Sequence, residues 1–137
     1  MIKPSFSYKT FTMRSLLVLF FLSLFSTVSL AQSKQQTQLK HVVLFKFKDD
    51  APVDQIKKVE NAFRALPSQV KEIKGFEWGT NNSPENLNQG FTHCFLVSFS
   101  SEKDREVYLP HPKHKEFVAI LSPILDKVLV IDYWADK

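Results

Sequence analysis

Between residues 39 and 48 the chain alternates with a period of two, and apolar side chains occupy both phases. His41, Val43, Phe45 and Phe47 fall in one phase, and Val42 and Leu44 lie among Lys40, Lys46 and Lys48 in the other. A segment of this kind is a strand with two faces to cover. The same pattern returns at 91–99, where Phe91, His93, Phe95, Val97 and Phe99 alternate with Thr92, Cys94, Leu96 and Ser98, and again in the nearly continuous apolar run at 128–134. A shorter strand is predicted at 75–79, followed by a polar, turn-rich stretch from Asn81 to Gly90.

Helical periodicity fills the gaps between these strands. Asp49-Asp50-Ala51-Pro52 provides acids and an early proline, and Val53, Ile56, Val59, Phe63 and Leu66 follow at spacings of three and four, predicting a helix that stops before Pro67. Ser100 and Ser101 lead Glu102 and Asp104 into a short helix reaching Tyr108. Pro110 interrupts it. A second stretch starts at Pro112, carries Phe117, Ile120 and Leu121, and breaks near Pro123.

The predicted order is βαββαβ, an α+β chain of the ferredoxin-like type, in which right-handed crossovers put the helices on one face of the sheet. The opposite face would then expose more hydrocarbon than a soluble monomer carries. A homodimer with two sheets facing each other, a dimeric α+β barrel, resolves that conflict.

Ahead of this domain, residues 1–31 read as a signal peptide. Lys3, Lys9 and Arg14 form a basic region, an apolar run follows from Leu16 to Phe25, and Ser29 and Ala31 supply the small residues before a cleavage point after Ala31. The apolar run is shorter than the roughly 20 residues of a membrane-spanning helix, so no stable membrane anchor is expected after cleavage. Met13-Arg14 is an alternative start that leaves the mature chain unchanged.

Residues 32–38 read as a disordered leader and 39–137 as a single domain. The mature protein is expected to be secreted or periplasmic. Three of the 18 basic residues and none of the 14 acids lie in the signal, leaving 15 against 14. A nucleic-acid partner is therefore not expected. The single cysteine, Cys94, has no intramolecular partner, and its apolar surroundings predict a small buried side chain.

The chemically capable residues cluster around four histidines: His41, His93, His111 and His114. Tyr108-Leu109-Pro110-His111-Pro112-Lys113-His114 is a proline-stiffened corner able to hold Tyr108 and His114 toward one cavity. Such a pair can polarise a carbonyl and move a proton. A plainer role, with Tyr108 capping the core and the histidines bonded to backbone, fits the same spacing. His111 and His114 lack further ligands in a zinc-like arrangement, so no metal is expected, and no cofactor motif is present.

Several of these elements together resemble one family. The segment 40–48, Trp78-Gly79, Gly90-Phe91-Thr92-His93, Tyr108 with His111-Pro112-Lys113-His114-Lys115-Glu116-Phe117, and Asp132-Tyr133 are similar to the stress-responsive A/B barrel (Dabb) domain over residues 39–133. The resemblance implies the dimeric barrel fold. It also implies, from a polyketide cyclase within the family, Tyr108 and His114 as catalytic positions, with His41 lining the same pocket. His41, Val43, His93 and His111 are the expected ligand-binding positions.

Two functional classes follow. One is an exported barrel that binds a small hydrophobic or carbonyl-containing molecule. The other is a cofactor-free lyase, cyclase or isomerase that uses the Tyr–His pair. A stress-protective dimer with an incidental cavity is the non-catalytic alternative.

Overall fold

The computed structural model describes residues 37–135, so the signal-peptide reading of 1–31 and most of the leader lie outside the described residues. The elements are β1 (Leu39–Phe47), α1 (Val53–Gln69), β2 (Gly75–Thr80), β3 (His93–Phe99), α2 (Glu102–Tyr108), α3 (Pro112–Leu121) and β4 (Leu125–Trp134). The four strands form one antiparallel sheet in the order β2-β3-β1-β4, which is the ferredoxin-like α+β topology.

Register settles which phase of each strand faces the helices. His41, Val43 and Phe45 pair with Val97, Phe95 and His93 on one side and with Asp132, Val130 and Val128 on the other, so all nine share a face. That face carries the core. Phe63 of α1 stacks on Phe95 at 4.4 Å between ring centroids and meets Phe117 of α3 at 4.5 Å, and Phe45 lies 5.3 Å from Phe95. These rings are almost fully buried, and the cluster is what fastens both long helices to the sheet.

The opposite face has no helix over it. Val42 pairs with Leu96 and Ile131, and Leu44 with Cys94 and Leu129, giving an apolar surface on which Leu129 and Ile131 remain 42% and 49% exposed. Cys94 belongs to this uncovered phase. Its side chain is therefore exposed, contrary to the burial expected from its apolar neighbours in sequence. Its partial desolvation still pushes the thiol up, away from thiolate.

Three boundaries differ by two residues or more from the sequence expectation. Helix α1 runs through Pro67 to Gln69. A proline in the last turn deletes one N–H bond, and the burial of Leu66 and Val70 on either side, tied by the Val70 N–H to the Leu66 carbonyl at 2.9 Å, compensates for it. Strand β3 begins at His93, two residues late, because Phe91 and Thr92 close the preceding loop: the Phe91 N–H donates to Asn88 and the Thr92 N–H to Phe45. Strand β4 begins at Leu125, three residues early, through a register shift at Lys46/Phe47 that lets Leu125 pair with Phe47.

The start of α2 follows the expected logic. Ser101 Oγ accepts from the Asp104 N–H at 3.1 Å while Asp104 Oδ2 accepts from the Ser100 N–H at 3.1 Å, a reciprocal cap that satisfies two otherwise unpaired donors. At α3 the N-cap is His111, with Pro112 at the first helical positions, where a missing N–H costs nothing. No helix among the described residues is long and apolar enough to cross a membrane.

Candidate functional site

The corner between α2 and α3 brings Tyr108 and His114 together. Their ring centroids stand 4.4 Å apart, and both line a cavity of about 210 Å³ between α3, β1 and the β4 edge. His41 and Val43 of β1 contribute to its floor, Phe63, Phe117 and Leu121 to its inner end, and Val128 and Val130 of β4 to its outer wall. The lining is almost wholly apolar apart from Tyr108, His41, His114 and Ser122.

Each polar group in this cavity has a defined hydrogen-bonding state. The Tyr108 side chain is fully buried, and its hydroxyl has no hydrogen-bond partner among the described residues. Burial pushes its ionisation far above the usual tyrosine value. The group therefore keeps its proton and acts as a donor.

His114 Nδ1 lies 2.9 Å from the Leu109 carbonyl oxygen. A carbonyl only accepts, so Nδ1 carries the hydrogen and Nε2 of the neutral ring is the lone-pair nitrogen. Desolvation lowers the His114 pKa below the ordinary histidine value; the Leu109 carbonyl opposes this, and the nearby His41 and His111 add to it. At neutral pH the ring is thus a free base.

His41 shows the same arrangement with a stronger partner. Its Nδ1 is 2.6 Å from Asp132 Oδ1, and the other Asp132 oxygen accepts from Arg105 Nη1 at 2.6 Å. The sequence reading included Asp132 only in a matched motif and left Arg105 out. One signal was present: Asp132 stands in phase with Val128 and Val130, an acid where the alternation calls for an inward apolar residue.

The remaining expected ligand-binding positions fall elsewhere. His93 shares the helix-facing side, but its ring is held by Glu60 of α1 at 3.1 Å and by Thr92 Oγ1 at 2.9 Å, with Phe47 edge-on at 5.0 Å. It borders a second cavity of about 470 Å³ under the 81–92 loop, together with Leu44, Leu87, Phe91 and Cys94. That larger cavity contains neither Tyr108 nor His114. His111 does not line the Tyr108 cavity either; its Nδ1 accepts from the Lys113 N–H at 3.2 Å and caps α3. Among the described residues no group of three or more His, Cys, Asp or Glu is placed to hold a metal ion.

Comparison with known proteins identifies the domain. Residues 39–135 match the model of the Stress Responsive A/B Barrel Domain. The chain is similar to the stress-response A/B barrel domain-containing protein HS1 of Arabidopsis thaliana, 42% identical over 95 residues that span 69% of this chain and 87% of the relative. It is 28% identical over 99 residues to olivetolic acid cyclase of Cannabis sativa, which spans 72% of this chain and 98% of the cyclase.

Two solved structures share the fold. Hydroxynitrile lyase from Passiflora edulis superposes with a TM-score of 0.69 at 26% identity, over 74% of this chain and 96% of the lyase. A dimeric protein of unknown function with a ferredoxin-like fold from Bacteroides fragilis gives 0.60 at 30% identity, over 72% of this chain and 96% of that one.

Proposed function

This chain belongs to the stress-responsive A/B barrel family, and from that premise we propose that it is an exported homodimer that holds a small carbonyl-bearing molecule beneath α3 and transfers a proton to or from it. The observation that carries the reading is the Tyr108 hydroxyl. A buried hydroxyl without a partner costs about 1–3 kcal/mol, and it stands in an apolar cavity beside a neutral histidine. The hydroxyl is closed over in this structure, and a ligand carbonyl oxygen admitted by a shift of the side chains around it satisfies that donor.

The chemistry follows from the two protonation states. Tyr108, holding its proton, stabilises negative charge developing on the carbonyl oxygen. His114, neutral with Nε2 free, takes the proton from the neighbouring carbon or hydroxyl. A cyclase and a lyase among the relatives support proton-handling chemistry in this fold. At about 210 Å³ the cavity is below the roughly 300 Å³ at which drug-sized sites begin. It suits a ligand smaller than drug size.

The dimer reading rests on the uncovered apolar face of Val42, Leu44, Leu96, Leu129 and Ile131, and on the dimeric Bacteroides fragilis relative. Export rests on the signal-like residues 1–31, and N-terminal sequencing of the protein recovered from its host tests it: a mature terminus at Gln32 is expected.

The functional test uses phenylacetone in D2O. Exchange of the protons beside the carbonyl, followed by NMR, is expected to run at least about 100-fold faster with protein than in buffer, within the range of general acid–base catalysis. His114→Ala should return it to the buffer rate. A protein that neither accelerates exchange nor shows any perturbation of its His114 resonances across a panel of small ketones and aldehydes overturns the reading.

A further inference from the structure

We infer that Asp132, with its second oxygen occupied by Arg105, is a positioning residue that commits His41 to a single tautomer and makes His41 Nε2 a second proton acceptor in the Tyr108 cavity. The carboxylate accepts and cannot donate, so a 2.6 Å contact from His41 Nδ1 to Oδ1 places the ring hydrogen on Nδ1. Arg105 Nη1 holds Oδ2 at 2.6 Å, which stops the carboxylate from rotating away. The three groups come from β1, β4 and α2, so the chain ties the cavity floor to both of its flanking elements.

The ring itself is also confined. His41 is 6% exposed and packs beside Tyr108, edge-on at 6.0 Å, and Phe99, tilted at 6.3 Å. Since Nδ1 is engaged by Asp132, Nε2 is the atom left for the cavity that His41 lines. With the His41 ring neutral, the cavity has one donor, the Tyr108 hydroxyl, and two acceptors, the Nε2 atoms of His41 and His114.

Building on the proposed carbonyl site, this pattern selects ligands in which a carbonyl has an acidic hydrogen on each side. Hydroxyketones and enolisable diketones have that chemistry. An aldehyde or an aryl methyl ketone, with removable hydrogens on one side only, uses half of it.

The test is long-range 1H–15N correlation of histidine-labelled protein without ligand, at pH 7.5. His41 is expected to show its hydrogen on Nδ1, against the Nε2–H preference of free histidine. Asp132→Ala should reverse this to predominantly Nε2–H, and so should the isosteric Asp132→Asn: Arg105 only donates and so keeps the amide oxygen, which turns the NH2 toward His41 Nδ1 as a donor. Asp132→Asn keeps the size of the side chain and its Arg105 contact, so a reversal in that variant reports the lost acceptor and not a loosened fold.

An Nε2–H His41 in the unmodified protein, or an Nδ1–H ring that persists in Asp132→Ala, overturns the inference. Because the measurement needs no ligand, absence of ketone exchange with the tautomer reversal intact would sink the carbonyl reading alone.

Discussion

Tyr108 and His114 sit on different helices, yet the corner joining those helices sets their rings 4.4 Å apart, donor beside base. Pro110 and Pro112 flank His111 and fix the backbone between them, while the His114 Nδ1–H bond to the Leu109 carbonyl holds the imidazole toward Tyr108. The corner is stiffened by its own sequence before any ligand arrives. Preorganisation of that kind is what makes a hydrogen-bond donor effective at a developing oxyanion.

Tyr108→Phe separates function from packing. The hydroxyl it removes has no partner among the described residues, so unfolding in urea should show a change within about 1 kcal/mol, on the stabilising side, as expected for deleting an unpaired buried polar atom. Ketone proton exchange should fall about 100-fold in the same protein, the loss expected for one oxyanion donor.

Acid should destabilise the fold partly through His114. Its pKa is lowered on folding by desolvation, so between that lowered value and the ordinary value of 6.5 the unfolded chain binds more protons than the folded one. The stability that His114 contributes is therefore present above pH 6.5 and is lost as pH falls through the folded-state value. Thermal melts of the unmodified protein and His114→Ala between pH 7.5 and 5 should diverge least at the acid end. A constant difference across the series refutes the assignment.

Phe63 holds the two long helices to the sheet. It is 1% exposed and contacts Phe95, Phe117 and Phe76, so Phe63→Ala should cost about 3–5 kcal/mol in urea unfolding. Because Phe63 also borders the Tyr108 cavity, the more conservative Phe63→Leu should keep the fold and accept bulkier ketones.

Ile131→Glu tests the uncovered sheet face. Ile131 pairs with Val42 in the middle of the open apolar surface and contributes nothing to the Tyr108 cavity. A charge there cannot be buried against a facing sheet, so light scattering should report a monomer where the unmodified protein is a dimer. A dimer that persists in Ile131→Glu would place the interface elsewhere.

Much of the architecture was legible in the sequence because it is written in local periodicity. The two-phase alternation around His41, Val43 and Phe45 marks β1, the three–four spacing from Val53 to Leu66 marks α1, and Ser101 before Asp104 marks the start of α2. Each depends only on neighbours a few residues away. The Tyr108–His114 corner was legible for the same reason, since its stiffness comes from two prolines inside the segment itself.

What the tertiary structure alone decided depends on partners far apart in the chain. Pro67 sits inside α1 because the burial of Leu66 and Val70 outweighs one missing bond, a balance that local propensity does not contain. Cys94 is exposed because its phase of β3 faces away from every helix. His93, alike in sequence character to His41, is drawn to Glu60 and away from the Tyr108 cavity, while Asp132, 91 residues from His41, becomes its partner through the β1–β4 register. Periodicity assigns a side chain to a face of the sheet; only the packed sheet assigns it a neighbour, because contact between distant residues is fixed by register and helix docking.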